Sequence, residues 1–252
     1  MLWRKMGAGP ALVLFHGGHG NWLHWVRNLQ ALASHYTVFV PDLPGYGGSD
    51  APMEPTLESL LELTVDTLDQ LVGATARIGV VGFSFGALVA AHLAAQRQHV
   101  FGLVLLGPAG HGGQRRPRGD LRDWRVAAKA GDAAGLKAVM RHNLAAHMLH
   151  DPAHVDSLAI EVHTAACLQT RFHSKTISRA SGLGALLDRC NAPLLLAWGE
   201  HDVTAEPVAL SQRLSEGRRS CRTCIVEGAG HWMQYEQAEF ANQLMLDGLA
   251  PG

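Results

Sequence analysis

Short runs of consecutive apolar residues, separated by longer amphipathic or alanine-rich stretches, organise both ends of this chain. The runs ALVLF (11–15), TVFVP (37–41), RIGVVGF (77–83), FGLVLLG (101–107), PLLLAWG (193–199) and RTCIVEG (222–228) predict strands, because each is short and bounded by turn residues. Their nearly unbroken apolar character fits strands covered on both faces, as in a parallel sheet flanked by helices. LWRKM (2–6) predicts a further, antiparallel edge strand, and it starts so near residue 1 that no earlier strand is expected.

Between these runs the period changes. Residues 57–72 (LESLLELTVDTLDQLV) space leucine and valine three and four apart with acids on the other side, which predicts an amphipathic helix. FGALVAAHLAAQR (85–97) is apolar enough to be a helix buried against the sheet, and a final helix is predicted from Glu236 to Leu249. Residues 111–188 break the rhythm: a glycine-rich, basic opening (HGGQRRPRGD) reads as a linker, and alanine, leucine and histidine follow at helical spacing. The expected fold class is therefore α/β, a doubly wound and mostly parallel sheet. Residues 1–110 and 189–252 form its core, and 111–188 form an inserted helical cap.

Composition narrows the partners. With 252 residues, 47% of them hydrophobic, the chain can bury one sizeable core, which predicts one domain plus a small insertion. A formal charge of −1 gives no broad pull toward nucleic acid or an anionic membrane, so a small organic substrate is expected instead. Gly9 and Pro10 interrupt the N-terminal segment before it can form a secretory signal, and no run approaches the roughly 18 apolar residues of a membrane span. A soluble, cytoplasmic protein is expected; the pattern specifies no oligomeric state. The cysteines (167, 190, 221 and 224) are too scattered for a disulfide scaffold. Cys221 and Cys224 form a C-x-x-C, but no second ligand pair follows, so ordinary buried thiols and no metal are expected.

Candidate chemistry sits at the strand ends. GFSFG (82–86) fits G-x-S-x-G directly after a strand and before a helix, the context of a nucleophile elbow with Ser84 at its tip. The glycines let strand and helix approach across the turn, and the helix N-terminus aims N–H groups at the space where an oxyanion would form. A serine hydroxyl needs a base, and of fifteen histidines His231 stands out, in the EGAGHW loop between the last strand and last helix. WGEHD (198–202) supplies the orienting acid; Asp202 is preferred over Glu200 because it lies further into the loop. The order serine, acid, histidine is one of the known triad orders. FHGGHGNW (15–22) offers a second oxyanion N–H from Gly17 or Gly18, beside that of Phe85.

FHGGHG, PDLPGYGGSD (41–50), GFSFG, WGEHD and GAGHW, in this order, resemble the α/β-hydrolase superfamily across nearly the whole chain. The resemblance implies an eight-stranded type of sheet, here without its first strand, a helical cap over the pocket and no cofactor. GAGHWMQYEQAEFANQLMLDGL is also similar to the C-terminal segment of the meta-cleavage product hydrolases, which break a carbon–carbon bond in dienoates. That similarity implies that Trp232 lines the pocket and that a cap arginine, Arg171 first and Arg179 second, holds a substrate carboxylate. The chain departs from those enzymes at Phe83, where they carry asparagine, and in HGGHG, where their loop continues with proline. Phe83 therefore suits an apolar acyl pocket. Ester or thioester hydrolysis, carbon–carbon hydrolysis and a non-catalytic ligand-binding protein on the same scaffold remain open at this point.

Overall fold

The computed structural model describes residues 1–250 and places strands where the apolar runs lie. They are β1 (Leu2–Met6), β2 (Ala11–Phe15), β3 (Thr37–Asp42), β4 (Ile78–Phe83), β5 (Val100–Leu106), β6 (Leu194–Gly199) and β7 (Cys221–Val226). One seven-stranded sheet results, in the order β1-β3-β2-β4-β5-β6-β7. Only β1 is antiparallel, pairing with β3 so that Leu2 faces Asp42 and Met6 faces Val38. From β2 the chain steps outward to β3 and then returns across β2 to β4, which opens a crevice at the carboxyl ends of β2 and β4.

The helices are α1 (Leu29–Ala33), α2 (Leu57–Val72), α3 (Phe85–Gln96), α4 (Trp124–Ala130), α5 (Ala133–His147) and α6 (Ser157–Leu168), followed by α7 (Lys175–Arg179), α8 (Leu183–Leu187), α9 (Pro207–Ser215), α10 (Met233–Glu236) and α11 (Ala238–Leu249). Successive side chains of a strand point to opposite faces. The apolar runs therefore divide between two cores. Leu12, Leu14, Val81, Phe83, Val104 and Leu106 pack on one face, with Trp232, Tyr235 and Met245. Val13, Phe15, Val80, Leu103, Leu105 and Trp198 pack on the other, against α3. Each such buried aliphatic side chain contributes about 1.5–3 kcal/mol, which is why strands without a polar face are stable here.

Two sequence expectations shift. The final helix is not continuous from Glu236: α10 stops at a Gln237 that leaves helical geometry (φ −118°, ψ 56°), and α11 begins after it. The buried Glu236 carboxylate explains the break, because it turns inward to hold neighbouring loops rather than lying on a helix surface. Within 111–188, α8 does not lie over the sheet's edge as a cap helix would. Leu183 and Leu187 share a core with Leu88, Ala91 and Leu93 of α3, so this part of the insertion is a layer of the main body.

Candidate active site

Ser84 sits between β4 and α3 at φ 54°, ψ −116°, a conformation that non-glycine residues rarely adopt. Strain of this kind costs about 1–3 kcal/mol and persists because the surroundings fix it. The Ser84 amide donates to the Leu106 carbonyl at 2.9 Å, and the Ser84 carbonyl accepts from Ala87 at 3.1 Å and Ala109 at 3.0 Å. Gly82 and Gly86 make the turn sterically possible: a Cβ on Gly82 would lie 2.5 Å from the Ala87 Cα, and one on Gly86 would lie 2.6 Å from the Phe15 carbonyl carbon. Alanine normally favours a helix over glycine by about 1 kcal/mol. At position 86 the sign should reverse: Gly86→Ala is expected to destabilise the protein by roughly 1–3 kcal/mol or more, measured by urea unfolding, because rigid backbone opposes the methyl group. An unchanged or raised urea midpoint would show that β2 yields freely.

Opposite the serine, His231 Nε2 lies 2.9 Å from Ser84 Oγ, and His231 Nδ1 lies 2.8 Å from Asp202 Oδ2. A carboxylate only accepts, so Nδ1 carries the proton and the Nε2 lone pair faces the serine hydroxyl. Asp202 and His231 are both buried. Burial pushes the Asp202 carboxyl up, but the adjacent His231 and the hydrogen bonds from Thr204 outweigh it and leave the carboxyl below its usual range. Thr204 donates its amide to Asp202 Oδ1 at 2.7 Å, and its hydroxyl lies 3.2 Å from His231 Nδ1. Gly107, at the end of β5, has φ 50°, and a Cβ there would lie 3.0 Å from the imidazole and 3.1 Å from Asp202 Oδ2. Neither Thr204 nor Gly107 was expected from the sequence; Gly107 closes an apolar run like any strand-ending glycine, and Thr204 lies outside the WGEHD pattern.

The loop after β2 forms the other wall. His16 donates Nδ1–H to the Gly17 carbonyl at 2.8 Å and accepts the Leu43 amide on Nε2 at 2.9 Å. The Gly17 amide donates to His24 Nδ1 at 3.2 Å. Of the two glycines expected to offer an oxyanion donor, Gly17 therefore spends its N–H inside the protein. Among the described residues no hydrogen bond engages the amides of Gly18 or Phe85. Gly18 lines the cavity above Ser84. PDLPGYGGSD is a structural element of this wall: Asp42 accepts from the Trp22 and Gly48 amides at 3.0 Å each and pairs with Arg4 at 3.1 Å.

A cavity of about 640 Å³ opens over Ser84 and His231, lined on its inner side by Phe83, His147, Met148 and His163. Phe83 stands 4.9 Å from the His231 ring, centroid to centroid. Burial, then the neighbouring His231, lowers His147 to about 3, so it faces the cavity as a neutral imidazole. Trp232, expected in the pocket, is fully buried away from it. Its indole N–H donates to the His24 carbonyl at 3.0 Å and one face of its ring stacks 4.3 Å from Tyr235. Arg171, the first candidate for a carboxylate partner, also lies elsewhere: its guanidinium donates to the carbonyls of Gly47 and Ser49, clipping the turn after β3. Arg179, the second candidate, does line the cavity.

Two further features were illegible in the sequence. Glu236 accepts from the amides of Gly230 (2.7 Å), His150 (2.8 Å) and Asp151 (2.6 Å), joining the loop after α5 to the loop that carries His231. The segment read as a basic linker instead contributes Arg115, Arg116 and Arg118 to the cavity wall, and Arg122 just after it joins them. Cys221 and Cys224 are half-buried free thiols on β7, three residues apart and so on opposite faces of the sheet. Among the described residues, no helix is long and apolar enough to cross a membrane.

Comparisons with known proteins agree with this architecture. The chain is similar to a 2-hydroxy-6-oxononadienedioate/2-hydroxy-6-oxononatrienedioate hydrolase of Pseudomonas putida, 29% identical over 97% of this chain and 90% of the relative. A 2-hydroxy-6-oxo-6-phenylhexa-2,4-dienoate hydrolase of Burkholderia cepacia is 25% identical over 98% of this chain and 90% of the relative. Among solved structures, a carboxylesterase CesB from Bacillus subtilis superposes with a TM-score of 0.79, at 24% identity over 99% of this chain and 87% of the other. The meta-cleavage product hydrolase CumD from Pseudomonas fluorescens IP01 superposes with a TM-score of 0.76, at 24% identity over 97% and 92%. Residues 12–243 match the model of the Alpha/beta hydrolase family, and the chain belongs to that family.

Proposed function

We propose that this protein is a serine hydrolase acting on small organic esters or thioesters, with Ser84 as nucleophile, His231 as base and Asp202 orienting the imidazole. The observation that supports it most directly is the continuous relay from Asp202 Oδ2 through His231 to Ser84 Oγ, with links of 2.8 and 2.9 Å, at the floor of a cavity. As Oγ attacks the scissile carbonyl carbon, its proton passes to His231 Nε2 and the carbonyl electron pair moves onto oxygen. The amides of Gly18 and Phe85 are the proposed donors to that oxyanion. Collapse of the tetrahedral species expels the alcohol or thiol, which takes the proton from His231, and leaves an acyl group on Ser84. Water then attacks with His231 again as base, releasing the acid and restoring the hydroxyl. The cap over the pocket, drawn from residues 111–188, and a cytoplasmic setting with free thiols belong to the same proposal.

A second reading has its own support. Hydrolysis of a carbon–carbon bond in a dienoate would use the same three residues, with Arg179 in the cavity holding a carboxylate in place of Arg171. Phe83, with no polar atom, favours the ester reading at the acyl side. Filled serine, acid and histidine positions oppose a non-catalytic binding protein. Labelling by a fluorophosphonate separates these classes, because only an activated serine reacts fast. Prompt labelling at Ser84, with turnover of p-nitrophenyl butyrate, is expected. Turnover of a ring-opened dienoate with negligible ester activity would favour the second reading, and absence of labelling would remove both.

A further inference from the structure

The outer wall of the Ser84 cavity is crowded with cations. Arg115, Arg118, Arg122, Arg179 and Lys175 all line it, and among the described residues none of them forms an ion pair with a carboxylate. The other two arginines of this wall are compensated, Arg116 by Glu206 at 3.0 Å and Arg125 by Asp123 at 3.5 Å. The Arg115 guanidinium is tied to the Ser178 carbonyl at 3.2 Å and that of Arg118 to the Gly119 carbonyl at 3.1 Å, contacts that fix position without cancelling charge. Burial, and next the positive charge of Arg179, lower the Arg115 pKa from its ordinary value; the Asp202 charge opposes this and Arg118 adds to it, so the neighbouring guanidinium groups repel Arg115. This is a local excess, since the whole chain carries a formal charge of only −1.

Like charges gathered on one partly solvated wall repel one another, most strongly at low salt. They also draw in an oppositely charged ligand, speeding association by about 10- to 10³-fold. Guanidinium forks suit the paired oxygens of carboxylate and phosphate alike. The cavity, at about 640 Å³, has room for an acyl group beside Phe83 and for a longer portion reaching this wall. A single carboxylate would leave most of the excess charge unmet.

We infer that the substrate carries, remote from its scissile carbonyl, a tail with two or more negative charges, held by Arg115, Arg122 and Arg179. The inference rests on the serine hydrolase reading and names the substrate class of that site.

A matched series of butyryl thioesters tests it, with thiol release followed on the full chain. One thioester has the neutral N-acetylcysteamine tail, one the dicarboxylate tail of mercaptosuccinate, and one the phosphate-bearing tail of coenzyme A. At low salt at least one anionic thioester should exceed the neutral one in kcat/KM by about tenfold or more, and 0.5 M salt should shrink that ratio. Which anionic arm leads identifies carboxylate or phosphate as the source of charge. Arg122 and Arg179 are exposed, so their joint replacement by glutamine should leave the fold intact. The Arg122→Gln, Arg179→Gln protein should lose about tenfold in the anionic-to-neutral ratio. Equal or better turnover of the neutral thioester, or a ratio indifferent to both salt and the double substitution, overturns the tail while leaving the hydrolase standing. No turnover of any thioester or of p-nitrophenyl butyrate would instead refute the hydrolase reading, and the tail with it.

Discussion

Ser84→Ala should reduce kcat on p-nitrophenyl butyrate by about 10⁴-fold or more, equivalent to roughly 5.5 kcal/mol of transition-state stabilisation. Alanine keeps the backbone and removes only the oxygen, so the elbow, the cavity and the amides around it stay in place. His231→Ala should be comparably severe, because the hydroxyl then has no base within reach. Combining the two should add little, since residues that act as a unit lose their effect together. Asp202→Asn probes a different link. An amide can present its NH₂ to His231 Nδ1, favouring the tautomer that puts the proton on Nε2, facing the serine. A loss of about 10⁴-fold in kcat is the outcome expected for a wrong tautomer. Steady-state assays with a fluorophosphonate titration of active sites check all three. A Ser84→Ala protein that retained wild-type esterase activity would place the chemistry elsewhere in the molecule.

Acidification should unfold this protein earlier than its surface carboxylates alone would require. His16 and His24 are both essentially inaccessible, at 0% and 1% exposure. Burial lowers His16 to about 4, and burial followed by repulsion from neighbouring histidines holds His24 well below the ordinary value of 6.5. Hydrogen bonding points the same way: His16 Nε2 and His24 Nδ1 each accept a backbone N–H, from Leu43 and Gly17, and a proton on either nitrogen would destroy that bond. Above pH 6.5 both rings are neutral folded and unfolded, so they confer no pH dependence there. As pH falls below 6.5 the unfolded chain takes up protons that the folded chain refuses, and stability declines until the folded values are reached. Between pH 7.5 and 5.5 the two rings together should remove about 3 kcal/mol, a large part of a typical margin of roughly 5–15 kcal/mol. Urea unfolding across that window checks it as a lower bound, since the buried His147 and His163 act in the same direction. A midpoint flat from pH 7.5 to 5.5 would mean that these rings are solvated or already charged in the native state.

Much of this molecule can be read along the chain. A sheet strand covered on both faces has to be apolar at nearly every position, and so β2 to β6 were legible to within a residue or two. G-x-S-x-G was legible because its glycines answer to a local constraint, the backbone contacts at Gly82 and Gly86 across the elbow. The break at Gln237 was not, because both halves carry a helical pattern and the interruption goes with what Glu236 binds in the distant loop of His150 and Asp151.

The pocket shows the same limit. Arg171 and Arg179 are indistinguishable as sequence, one bound to the turn after β3 and the other on the cavity wall. Gly17 and Gly18 are adjacent glycines, yet His24 takes the amide of one of them. Trp232 neighbours His231 in the chain but is turned beneath it onto Tyr235. By itself, then, the sequence determined the strands, their layering between helices and the proposed serine, acid and histidine, which the fold brings within hydrogen-bond distance, since each was read from periodicity or from residues close in the chain. Tertiary structure alone decided which glycine keeps a free amide, which arginines face the cavity and how the histidine loop is braced. Those outcomes depend on hydrogen-bond partners and on neighbouring charges, many of them dozens of residues or more away, and no local pattern encodes them.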